Sequence, residues 1–105
     1  MRTPSVPGPD ERGKRWLQAK VEQMLAESAV ALAPLHAAGD PACYWGTGPE
    51  TGTTLYLRLA RDPEPKALRF PRALLYDCGA GRYFRQQQAT TFIRRALRQM
   101  GILPA

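Results

Sequence analysis

Residues 73–101 read ALLYDCGAGRYFRQQQATTFIRRALRQMG, and the fold turns on how this stretch is divided. Its last third carries helical spacing. With Phe92 set at 0° and about 100° per residue, Ala96, Met100, Ile93 and Leu97 fall between about 40° and 140°. Arg94, Arg98 and Arg95 fall at about 200°, 240° and 300°, opposite that apolar arc. The helix therefore spans about Thr90–Met100. Gly101 suits the left-handed position after it, and Pro104 prevents continuation. Running the same helix backwards places Tyr83 at about 180° and Phe84 at about 280°, off the apolar arc. Arg82–Gln86 is accordingly expected to be a strand. Its hairpin partner is Ala73–Cys78, across the tight connection Cys78-Gly79-Ala80-Gly81, where glycine supplies any positive φ. On this division a hairpin precedes the basic helix, so no helix-turn-helix is expected.

Upstream, Asp10 is a plausible N-cap for a long helix, with Glu11 in the first turn. Trp16, Leu17, Val21, Met24, Leu25, Ser28, Leu32 and Leu35 keep 3.6-residue spacing, and Pro34 ends the helix near Ala33. Three short extended runs follow at 42–47, 53–60 and 67–70. The strongest is TTLYLRLA, in which Leu55, Leu57 and Leu59 face one way and Tyr56 and Arg58 the other. Pro71 interrupts the third run. The expected fold class is α+β. A small antiparallel sheet of three to five strands carries the N-terminal and C-terminal helices on one face, in the order α-β-β-β-β-α. Residues 1–9, with three prolines and a glycine, read as a disordered tail. Residues 10–105 read as a single domain.

The 105 residues carry a formal charge of +6, unevenly placed. Residues 1–65 hold seven bases and eight acids, whereas residues 66–105 hold eight bases and one acid, Asp77. A one-sided field of this kind attracts polyanions and acidic surfaces. The composition has no apolar run of the ~20 residues a membrane span needs and no signal-peptide core. The expected location is cytoplasmic, with no membrane partner. The Ala-, Arg- and Pro-rich usage fits a GC-rich bacterial or phage genome.

Little supports catalysis. His36 is the only histidine, so the usual tuned histidine–base pair has one candidate, placed just after a proline. Asp77 is expected to pair with Arg82 or Arg85. No phosphate loop, dinucleotide turn or metal-ligand spacing is present. The protein is read as non-catalytic and without cofactor, metal or small-molecule ligand. The least excluded activity is a metal-independent ribonuclease working through Tyr and Arg. Cys43 and Cys78 read as reduced, buried thiols.

The binding residues expected on the sheet are Tyr56, Arg58 and Arg69, joined by Arg82, Tyr83 and Arg85 of the last hairpin with Phe84 packed inward. Such a platform would stack bases and neutralise phosphate. Arg94, Arg95 and Arg98 add a positive stripe on the last helix. The leading expectation is a small nucleic-acid-binding accessory protein. The alternative is an interaction module that binds an acidic protein surface, or a second copy of itself as a homodimer.

Overall fold

The structure is a computed structural model that describes residues 9–32, 42–48, 52–60 and 64–104. Residues 1–8, 33–41, 49–51, 61–63 and 105, among them Pro34, Leu35 and His36, lie outside the described residues. The chain is α+β, with elements in the order α1 (Pro9–Glu27), β1 (Cys43–Trp45), β2 (Thr54–Leu57), β3 (Lys66–Arg69), α2 (Arg72–Gly79) and α3 (Tyr83–Gln99).

The three strands form an antiparallel meander, β1-β2-β3. Cys43 pairs with Leu57 and Trp45 with Leu55 on one side, and Leu55 pairs with Leu68 on the other. Side chains alternate across a strand, so this register puts Cys43, Leu55, Leu57 and Leu68 on one face, and all four are buried. Tyr44, Tyr56, Ala67 and Arg69 share the opposite face. The leucine face joins Leu17, Val21 and Leu25 of α1, Leu75 and Cys78 of α2, and Ala89, Ile93 and Leu97 of α3 in one core. Phe70, just after β3, sits at its centre, with Trp45 at 5.8 Å and Phe92 at 5.5 Å between ring centroids.

Three sequence expectations change. First, α1 ends at Glu27 instead of near Ala33. Ala29 takes φ 56 and the Val30 amide donates to the Leu25 carbonyl at 2.9 Å, a left-handed termination written without glycine. Asp10 lies inside the first turn, after Pro9, rather than at the cap.

Second, Ala73–Cys78 is helical. It belongs to α2, which follows Pro71 in extended conformation (φ −61, ψ 139). Its buried residues are Leu74, Leu75 and Cys78, a spacing of one and four that only a helix brings to one side. An alternating reading of Leu74, Tyr76 and Cys78 fails because Tyr76 is exposed.

Third, Arg82–Gln86 is not a strand. Arg82 precedes α3, and Tyr83 to Gln86 form its first turn. The helix does run back through Tyr83 and Phe84, and it leaves them 67% and 80% exposed. Among the described residues the sheet therefore has three strands, and the basic helix is preceded by a helix. The end of α3 follows expectation: Gly101 has φ 73, and the Ile102 amide donates to the Leu97 carbonyl at 2.9 Å. No helix among the described residues is long and apolar enough to cross a membrane.

Candidate nucleic-acid interface

The nine residues marked as a binding surface divide into three groups. Tyr56 and Arg69 lie on the solvent side of the sheet, by register and alternation, whereas Arg58 follows β2, is half-buried and has its Nε covered. Tyr44, which sequence reading passed over, stands opposite Tyr56, and their rings stack at 5.3 Å with an interplanar angle of 20°. Each tyrosine thus spends one ring face on the other, and both are half-buried. The sheet is a smaller platform than the sequence promised.

Arg82, Tyr83 and Arg85 do not join that face. They surround the turn between α2 and α3. The Arg85 Nε donates to Asp77 Oδ2 at 2.9 Å, and the Arg82 Nε lies 3.4 Å from Asp77 Oδ1. One carboxylate, the only one in the basic half of the chain, thus draws in both guanidinium groups. Asp77 is largely covered whereas Arg82 is exposed, so the Arg85 contact, shorter and better shielded, is the stronger of the two. Arg85 also donates through Nη1 to Gln88 Oε1 at 2.9 Å. These arginines brace the turn, and the Asp77 carboxylate offsets one of their two charges.

Arg94, Arg95 and Arg98 are different. All three are exposed on α3, and among the described residues none is ion-paired to a carboxylate. The helix has no acidic residue. Glu27 of α1 lines one groove with Arg94 and Arg98, but it accepts a hydrogen bond from Gln23 at 3.0 Å. The solvent side of α3 also carries Phe84, Gln87, Gln88 and Thr91, all exposed. With Phe92 and Arg95 these line a shallow groove of about 380 Å³. The side is therefore basic, amide-rich and partly aromatic, with no acid on the helix itself and Glu27 of α1 at its edge. Gln87 and Gln88 were missed because they fall between the expected strand Arg82–Gln86 and the expected helix Thr90–Met100, and Thr91 because only the arginines of that helix were counted. Their signal was the missing acid through the whole of 82–101.

The thiols lie apart from this surface. Cys43 and Cys78 are free and buried. Burial, aided by the neighbouring Glu22 carboxylate, pushes the Cys43 thiol up from 9.0 to about 12. Burial also raises Cys78, although the nearby Arg85 opposes it. Only the thiolate reacts, so at pH 8 Cys43 in the native protein should react with an aromatic disulfide reagent roughly a thousandfold more slowly than in denaturant. Equal rates in the two conditions would contradict the burial. The sign for stability follows from the raised value. The thiol contribution is fully present below pH 9.0, the ordinary value, and is lost as pH climbs toward about 12.

No protein-family model matches the chain, and neither a curated protein nor a solved structure matches it.

Proposed function

We propose that the chain is a non-catalytic nucleic-acid-binding protein whose contact surface is the solvent side of α3. One observation carries this reading. Arg94, Arg95 and Arg98 stand exposed on an acid-free helix, with no carboxylate partner among the described residues. Like charges that close repel each other unless a polyanion is present. A phosphate backbone supplies it, and binding releases the counterions condensed there. The neighbouring Gln87, Gln88 and Thr91 add neutral donors and acceptors of the kind that reach sugar, phosphate and base edges.

Fluorescence anisotropy of labelled oligonucleotides against salt tests this. With three or more phosphates neutralised, affinity should be micromolar or tighter at about 50 mM salt, and the log–log slope should be about −2.7 or steeper. Absence of binding at that salt would rule the reading out.

The competing reading, an acidic protein partner or a second copy of the chain, is favoured by the exposed rings of Tyr83 and Phe84, since aromatics and arginines are enriched at protein interfaces. It predicts retention by an acidic protein that survives nuclease treatment, or a solution mass of twice the monomer.

A further inference from the structure

We infer that α3 enters the major groove of duplex DNA as a recognition helix held in place by α2. This rests on the nucleic-acid-binding reading above and narrows its substrate. The α2–α3 pair is a short helix, a three-residue turn and a longer helix. The turn, Ala80-Gly81-Arg82, is fixed at both ends. Gly81 has φ 78, a conformation that strains residues with a β-carbon. The Arg82 amide donates to the Asp77 carbonyl at 3.1 Å. The Gln86 side-chain amide donates to the Cys78 carbonyl at 3.1 Å. The Asp77 carboxylate draws Arg82 and Arg85 onto the end of α2. Leu75 and Cys78 of α2 and Ala89 and Ile93 of α3 are buried in the same core. α3 is thus set rigidly at its start, and one whole side of it stands in solvent. A short glycine-bearing turn between two helices is the arrangement by which helix-turn-helix proteins present their second helix to the major groove.

The fit favours DNA over other nucleic acids. A helix with side chains is about 10–12 Å across, and the B-form major groove is about 12 Å wide. The corresponding groove of duplex RNA is too deep and narrow to admit it. The exposed residues on the first half of α3 are Tyr83, Phe84, Gln87, Gln88 and Thr91. A glutamine amide can pair with the N6 and N7 edge of adenine, and the Phe ring and the Thr methyl can pack on the thymine methyl. Arg94, Arg95 and Arg98 follow along the helix, where they reach the flanking phosphates. Single strands would instead need open aromatic faces arrayed for stacking. On the sheet Tyr44 and Tyr56 already stack on each other, and at the start of α3 the exposed rings of Tyr83 and Phe84 meet edge to face at 6.0 Å rather than as parallel platforms.

The test uses the full chain at about 50 mM salt with one sequence of roughly 30 base pairs presented as duplex DNA, duplex RNA and single strands. Duplex DNA should bind at least about tenfold more tightly than either competitor. Equal or better binding of duplex RNA or single strands overturns the major-groove inference and leaves nucleic-acid binding standing. Absence of binding to all three removes both. A second arm selects preferred sites from a random duplex DNA library and compares them with a Gln87→Ala, Gln88→Ala variant. Preference for the selected site over random duplex should fall about ten- to a hundredfold, with the salt slope retained. Failure of the native protein to enrich any sequence, or an undiminished preference in the variant, overturns base reading by this helix.

Discussion

Replacing Gly13 with alanine is expected to cost the fold about 3 kcal/mol, the upper end for overpacking, although the same change inside most helices stabilises by about 0.5–1 kcal/mol. A β-carbon at Gly13 would sit 1.8 Å from the Leu75 carbonyl oxygen and 2.7 Å from its carbonyl carbon. These are backbone atoms of α2, so no rotamer change relieves the overlap. α1 and α2 must move apart, and the core between Leu17 on one helix and Leu74 and Leu75 on the other opens with them. Native interiors leave little room for such a shift. At about 4–8 °C per kcal/mol for a domain of this size, the midpoint of a thermal melt followed by circular dichroism should fall by at least about 12 °C. A rise in Tm, as helix propensity alone dictates, would mean that α1 and α2 do not meet as closely as they do here. The consequence reaches the binding surface. α2 sets the angle of α3, so a chain that stays folded with α2 displaced should also bind nucleic acid less tightly.

Gly13 shows what kind of information a sequence withholds. A glycine inside an amphipathic helix reads as a small local penalty, and only its neighbour explains it. The elements that were legible have redundant patterning. In α1 the stripe of Leu17, Val21, Met24 and Leu25 repeats over several turns. In β2 the leucines and Tyr56 alternate without exception. By contrast, α2 offers eight residues, too few to separate a helical from an alternating period when Leu74, Leu75, Tyr76 and Cys78 satisfy parts of both. Gly79-Ala80-Gly81 suits a hairpin and a helix–helix turn equally well. The start of α3 misleads for a different reason. The spacing rule assigns large aromatics to the interior, yet Tyr83 and Phe84 are exposed, and the good helix formers Arg85, Gln86, Gln87, Gln88 and Ala89 carry the helix straight through them. The arginine stripe was readable because the absence of acid can be counted without knowing the fold. The glutamines were not, since their role depends on belonging to the same helix as the arginines.

Neutralising the stripe with Arg94→Gln, Arg95→Gln and Arg98→Gln together should weaken binding of duplex DNA a few hundredfold at about 0.1 M salt. The size follows from counterion release. Three phosphate contacts contribute about 0.9 each to the log–log salt slope, so the slope should flatten by about 2.7. The electrostatic contribution fades toward about 1 M salt, and one decade below that point it amounts to those same 2.7 decades. Glutamine is chosen because it keeps helix propensity and length while removing only charge, and because it sets no new carboxylate beside Glu27. Arg98 lies in the last turn of α3, where its charge favours the helix dipole by a few tenths of a kcal/mol, and losing that is offset by relief of repulsion from Arg94 four residues earlier. The melting midpoint should therefore move by only a few degrees, which keeps a loss of binding from being a loss of fold. The sheet face supplies the contrast. Changing Arg58 and Arg69 to glutamine removes two charges from a different surface and should weaken binding by only about threefold, through the long-range field. If the sheet pair produced the large loss and the helix triple left the salt slope where it was, phosphate would be lying across the tyrosine face, and the free arginines of α3 would face only water.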